Sequence, residues 1–531
     1  MTLNDPNAGP WWRDSVTYQV YVRSFADSDG DGVGDLAGIT SRLPYLRDLG
    51  VDALWITPFY PSPQHDHGYD VADYRDVDPL FGDLAAADEL LTSAHDLGLR
   101  VVVDLVPNHT SSEHPWFRAA LAAGPGSPER ARYLFRESTG GVPPNNWESV
   151  FGGPAWTQVE DGQWYLHLFD TTQPDLDWRN PEVSEMFEDV LRFWLDRGVD
   201  GFRVDVAHGL FKDASLRDQV IAPTESAHAG AMVERRLHDE PMWDQPEVHD
   251  VYRRWHRILA EYDRDRMAVA EAWTQTPESM ARFVRPDELS QTFNFGWLLA
   301  EWSATAFADV IHGTLTAMAP VGAAATWVLS NHDVVRHTTR YGGGEPGLAR
   351  ARAATLTMLA LPGSAYLYQG EELGLPEVDV ATEDWQDPAS LRTGEKGRDG
   401  CRVPIPWSGT RAPYGFGPGG GQPWIPQPDD WAGLSVEAQQ GRAGSTLEFY
   451  RDALRARREH TLAAGSDVRL DDRARDVLTI RRGPLTVVLN CGTTPVPLPD
   501  GEVLIASGAL DGDKLPGDTA VWLGGQSRAA L

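Results

Sequence analysis

Cysteine is nearly absent from this chain: 531 residues carry two, Cys401 and Cys491. That excludes a disulfide framework and a cysteine-ligated zinc site. Long apolar runs are missing too, and none approaches the roughly 20 residues of a membrane span. The N-terminal stretch MTLNDPNAGPWWRDS lacks the basic-then-apolar order of a secretory leader. Positive charge is scarce: 46 Lys and Arg face 78 Asp and Glu, giving a formal net charge of −32. Nucleic acid and anionic membranes recruit basic patches, so neither is expected as a partner. A neutral or cationic ligand and a cytoplasmic location are.

The remaining composition, 41% hydrophobic and 23% charged, is that of a globular chain able to bury a large core. Short β-rich runs alternate with segments of helical period. The runs are VTYQVYVRSF (core 17–25), VDALWITP (51–58), LRVVVDLVP (99–107), VDGFRVDVA (199–207), RMAVAEAW (266–273), TFNFGWLL (292–299), ATWVLSNH (325–332) and SAYLYQGEE (364–372). Several are apolar on both faces, as parallel strands covered by helices must be. DLAGITSRLPYLRDLG (35–50) and AAADELLTSAHDLG (85–98) carry helix-spaced apolar residues and stop at glycine. Eight such units predict an α/β fold, a (β/α)8 barrel.

Two regions break the alternation. Residues 108–180, rich in Gly, Pro, Trp and Ser, are expected to form a domain inserted after strand three. Beyond about residue 459, VRLDD, VLTIRR, LTVVLNC and GEVLIAS are short strands at turn spacing, expected to form a C-terminal antiparallel β-domain. The barrel would then comprise 1–107 and 181–458. The aromatic Gly/Pro-rich stretch 411–430 is expected to be a structured surface loop rather than a linker.

GFRVDVAHG (201–209) sets Arg203 and Asp205 two apart on a strand, hence on one face. An arginine in contact keeps a buried aspartate ionised, and a charged carboxylate in an apolar pocket can act as a nucleophile. The same pair could equally be a structural ion pair. Further polar residues stand at the ends of other strands: Asn108 and His109 after strand three, Glu271 after strand five, His332 and Asp333 after strand seven. Chemistry in this fold collects at that rim, and several unpaired buried charges there would be too costly for packing alone.

At these residues the chain resembles an α-amylase-family glycoside hydrolase of the α-glucosidase and oligo-1,6-glucosidase branch. DLVPNHT, GFRVDVAHG, AEAW and WVLSNHD are similar to four family motifs in family order; VDALWITPFYPSP, QPDLDW and GSAYLYQGEELGLP resemble further blocks. The resemblance runs from about residue 11 to at least residue 407. It implies Asp205 as the nucleophile of a retaining double displacement, Glu271 as the general acid and then base, and Asp333 as a third carboxylate gripping sugar hydroxyls. Apolar neighbours and the anionic nucleophile are expected to keep a proton on Glu271.

It also implies Asp70, His109, Arg203, His332 and an arginine of GRDGCRVP as contacts of the terminal glucose. Arg402 is preferred to Arg398, and Asp70 and this arginine are expected together at the floor of the sugar site. Phe169 and Tyr69 or Tyr74 are candidate stacking surfaces. The stretch DSDGDGVGD resembles the start of an EF-hand, but its twelfth position is Gly38 and no helix precedes it. The family resemblance implies instead a structural calcium or magnesium ion held by Asp27, Asp29, Asp31, Asp35 and the Val33 carbonyl.

The implied activity is exo-acting release of α-glucose from maltose and malto-oligosaccharides, with transglucosylation as a side reaction. The scaffold also serves α-1,6-glucosidases and sucrose- or trehalose-acting isomerases. Val206 after the nucleophile fits either linkage. Non-catalytic transporter partners share the fold, but all three carboxylates are retained here. Oligomeric state cannot be read from the sequence.

Overall fold

A computed structural model describes residues 9–138, 140–220, 241–263 and 265–525. Residues 1–8 of the N-terminal stretch read above lie outside these. Eight parallel strands close a barrel: Val16–Val20, Ala53–Ile56, Arg100–Leu105, Gly201–Val204, Met267–Ala270, Gln291–Asn294, Thr326–Val328 and Ser364–Tyr368, each paired with its sequence neighbour and the last with the first. The expected (β/α)8 architecture is therefore the observed one. Closure requires tight inter-strand approach: a Cβ on Gly201 would lie 2.6 Å from the Met267 carbonyl oxygen and 2.7 Å from its sulfur, so only glycine fits.

The helices follow their caps. Asp35 accepts from the Gly38 N–H to start Leu36–Leu49, which stops at left-handed Gly50 (φ 102°); Asp83 caps Leu84–Asp96 from the Ala86 N–H. The sixth strand is half the expected length. Asn294 accepts from the Trp297 N–H and turns the chain into a helix over Phe295–Leu299, a cap signal that the apolar run TFNFGWLL hides.

Residues 108–180 stand between barrel strands three and four. They carry the helix Pro115–Ala123 and a three-stranded antiparallel sheet of Phe135–Arg136, Trp156–Gln158 and Trp164–Leu166. A five-stranded antiparallel sheet spans Arg469–Gly524 and packs on the barrel helix Gly344–Ala360, where Trp522 Nε1 donates to the Leu356 carbonyl at 3.0 Å. The 411–430 stretch is more deeply built in than a surface loop. Tyr414, Phe416 and Ile425 are buried, and its backbone bonds the acidic loop through Asp27 N–H to Phe416 O and Trp424 N–H to Gly32 O, both 2.9 Å. No helix among the described residues is long and apolar enough to cross a membrane.

Candidate active site

The C-terminal ends of the strands converge on one charged cluster. Asp205 is the first residue past strand four, and its N–H continues the ladder to Leu105 O at 2.8 Å. Arg203, 1% exposed, reaches Asp205 Oδ1 through Nη1 at 2.6 Å and Glu271 Oε2 through Nη2 at 3.0 Å. One guanidinium thus holds both carboxylates, rather than Asp205 alone. It also touches Asp104 Oδ1 at 3.0 Å, a third acid, which opens the motif DLVPNHT. Asp104 stands in register with Arg203 on the neighbouring strand, and burial pushes its carboxyl up against the pull of that arginine.

Glu271 follows strand five directly. Its Oε1 accepts from Trp273 Nε1 at 2.8 Å, and its Oε2 from the Val206 N–H at 2.9 Å. Val206 has φ 46°, a left-handed conformation that a β-branched side chain adopts only under constraint. Its N–H points at Glu271 in this conformation. Trp273 is itself fixed by stacking on Phe295, with centroids 3.8 Å apart.

Asp333 lies on the loop after strand seven. Its Oδ1 is 3.0 Å from Arg398 Nη1, 3.2 Å from Arg402 Nη2 and 3.7 Å from His332 Nε2. His332 receives the Gln19 amide at Nδ1 (2.7 Å) and lies between the rings of Tyr69 and Tyr21, stacked at 5.2 and 5.5 Å. Burial lowers its pKa to about 3, so the ring is neutral near neutral pH. His109 contacts the Gln173 amide at 3.2 Å and packs 5.1 Å from Phe169. Of the two candidate tyrosines, Tyr69 belongs to this cluster, donating to Asp104 at 3.1 Å. Tyr74 is spent behind it on the carbonyls of Val106 and His109.

Two expectations need correction. Asp70 does not face the cluster: its carboxylate accepts from Ser62 Oγ and from the N–H groups of His65 and Asp66, at 2.9 to 3.0 Å, folding its own loop. Asp66 takes the expected place, with Oδ1 2.8 Å from Arg398 Nη2 and Oδ2 3.0 Å from the Gln173 amide. Between the two aspartates the chain reverses through left-handed His67 (φ 53°) and Gly68 (φ 105°), so residues four apart end on opposite sides of a turn. The arginine that joins Asp66 is Arg398, not Arg402. Arg402 remains adjacent, donating to His332 O at 2.8 Å. Asp387, also unforeseen, holds Arg398 by Nε at 2.9 Å and Nη2 at 2.7 Å.

In the acidic loop, Asp27, Asp29 and Asp35 bring carboxylate oxygens within 4.8 Å of one another, the first and last buried. Asp31 falls outside that group and accepts from the Val33 N–H at 2.8 Å. Converging oxygen-only donors fit a hard divalent cation.

A (β/α)8 barrel whose strand ends present three acids around shared arginines has the equipment for acid-base and nucleophilic work at an electrophilic carbon. Comparisons with known proteins agree. The family model described as "Alpha amylase, catalytic domain" matches residues 19–465. A probable α-glucosidase of Rhizobium meliloti is 38% identical over 506 residues, covering 88% of this chain and 87% of that protein. An oligo-1,6-glucosidase of Parageobacillus thermoglucosidasius is 35% identical, covering 85% and 84%. Among solved structures, the α-glucosyl transfer enzyme XgtA superimposes with a TM-score of 0.88 at 39% identity over 98% of this chain and all of that one. The chain belongs to the α-amylase family and is a glycoside hydrolase.

Proposed function

We propose that this enzyme is a retaining, exo-acting α-glucosidase that releases glucose from the non-reducing end of maltose and malto-oligosaccharides and transfers glucosyl units to sugar hydroxyls as a side reaction. Asp205 attacks the anomeric carbon, Glu271 protonates the departing oxygen and then activates water, and Asp333 binds ring hydroxyls. Both reacting carboxylates lie within reach of one guanidinium. This suits the roughly 5–5.5 Å of a retaining pair better than the wider spacing that accommodates a water. With Glu271 carrying its proton as the acid, Asp104 and Asp205 around Arg203 still leave surplus negative charge to stabilise an oxocarbenium-like transition state. The names of the relatives, a probable α-glucosidase, an oligo-1,6-glucosidase and an α-glucosyl transfer enzyme, support an α-glucoside substrate. Two free cysteines suit a reducing compartment, the cytoplasm.

The observation that carries exo action is the Asp66–Arg398–Asp333 chain of buried contacts. A glucan continuing past the terminal sugar would break these pairings and strand buried charge, which costs several kcal/mol (~). Maltose should be cleaved readily, cyclodextrins and soluble starch hardly at all. Early release of maltotriose or longer fragments from starch would refute the pocket.

Burial pushes the Asp66 carboxyl up to about 6, against Arg398 and Arg402. Below that pH it gains a proton and loses its hold on the arginine. KM for maltose should therefore rise as pH falls through about 6, and this rise should be clearly smaller in Asp66→Asn. A maltose KM with the same pH profile in both proteins would remove Asp66 from the sugar site.

Asp27, Asp29 and Asp35, with Asp31 and the Val33 carbonyl as further donors, would hold a calcium or magnesium ion that stiffens the loop after strand one. At a cation concentration 100-fold above Kd such an ion adds about 2.7 kcal/mol of stability. Chelator should lower the melting temperature and added cation restore it. An unchanged melting curve would leave the loop metal-free.

A further inference from the structure

The helix Pro388–Thr393 lies on the loop after strand eight, far in sequence from the inserted segment, yet the two are joined. Arg392 Nη2 donates to the Pro154 carbonyl at 3.0 Å, and its Nη1 lies 3.6 Å from Asp170 Oδ1. The fit is close: Gly153 has φ 73°, and a Cβ there would sit 3.3 Å from Arg392 Nη2. Ala389 on the same helix packs on the apolar cluster that contains Phe151 and Phe169.

These contacts close a ring that shares Asp66 and Arg398 with the sugar site. Asp387 caps this helix from the Ala389 N–H and holds Arg398. Arg398 holds Asp66, Asp66 accepts the Gln173 amide, and Gln173 Oε1 accepts the Asp170 N–H at 2.9 Å. Asp170 faces Arg392, which returns to the helix. Two aromatic residues pack against the ring: the Arg398 guanidinium lies 4.8 Å over Phe151, and Phe151 packs 5.5 Å from Phe169.

We propose that Arg392 is a specificity-determining positioning residue, a latch that clamps the inserted segment against the loop after strand eight and so keeps the pocket shut beyond the terminal glucose. Nothing places Arg392 itself on the substrate. It acts through Asp170 and Pro154, which fix the Phe151 and Phe169 wall against Arg398. The proposal rests on the exo-acting reading above.

The test compares the unaltered enzyme with Arg392→Ala and Arg392→Lys on maltose and on a maltoheptaoside whose non-reducing end is blocked by a 4,6-ethylidene group. Unlatching should raise KM for maltose about tenfold with kcat within about twofold, because binding geometry is lost and the chemistry is kept. Arg392→Ala should also begin to cut the blocked substrate internally, and Arg392→Lys should restore much of both properties. Asp170→Asn, which removes the charge and keeps the shape, should shift KM in the same direction and covers the case in which Arg392→Ala fails to fold. Cleavage of the blocked substrate by the unaltered enzyme would sink the exo-acting reading and the latch with it. If the unaltered enzyme and the variants all refuse the blocked substrate and share one KM, the latch alone is refuted.

Discussion

Asp205→Asn should lose turnover on an aryl α-glucoside by roughly 10⁴-fold or more while still binding maltose. The amide keeps the volume of the carboxylate and can still accept from Arg203 Nη1, now 2.6 Å away, so the pocket should keep its shape. What disappears is the negative charge that attacks the anomeric carbon. Because both reacting carboxylates share Arg203, the substitution also leaves that guanidinium to Glu271 and Asp104. Binding measured by calorimetry should therefore remain while steady-state turnover falls to background. Near-normal turnover in this variant would remove Asp205 from the covalent step.

Glu271→Gln should lose about 10² to 10⁴-fold on maltose, and much less on substrates whose leaving group needs no proton. The two oxygens of Glu271 are both acceptors, one from Trp273 and the other from Val206 and Arg203. A glutamine can present its oxygen to only one of those sides, so its amide group must face a donor. Glu271→Ala avoids that mismatch and should show the same dependence on the leaving group. In both variants azide should accelerate release of the trapped sugar, since a small anion needs no general base. Equal losses on good and poor leaving groups would count against Glu271 as the acid.

The barrel was legible because its strands are buried on both faces and its first two helices carry aspartate caps and end at or next to glycine, signals local in the chain. The sixth strand shows the limit, since one asparagine cap converts half of an apolar run into helix. At the site, Arg203 and Asp205 could be paired from strand parity alone. Asp66 could not be told from Asp70, because the choice is made by two left-handed residues between them and by which backbone N–H groups each carboxylate receives. The roles of Asp104 and Asp387 were hidden for another reason. Their partners, Arg203 and Arg398, are 99 and 11 residues away, and barrel register and loop return bring them together. The ring through Arg392 is longer in range still, linking residues 238 apart between Pro154 and Arg392.

The central claim is that a glucosyl unit becomes covalently attached to Asp205. Glu271→Gln incubated with α-glucosyl fluoride, whose leaving group needs little protonation, should accumulate that intermediate, because the deglycosylation base is gone. Peptide mass spectrometry of the quenched protein should find one added hexosyl unit on the peptide containing Asp205, and azide should discharge it. No adduct, or an adduct located on Asp333 or Asp104 instead, would contradict the account.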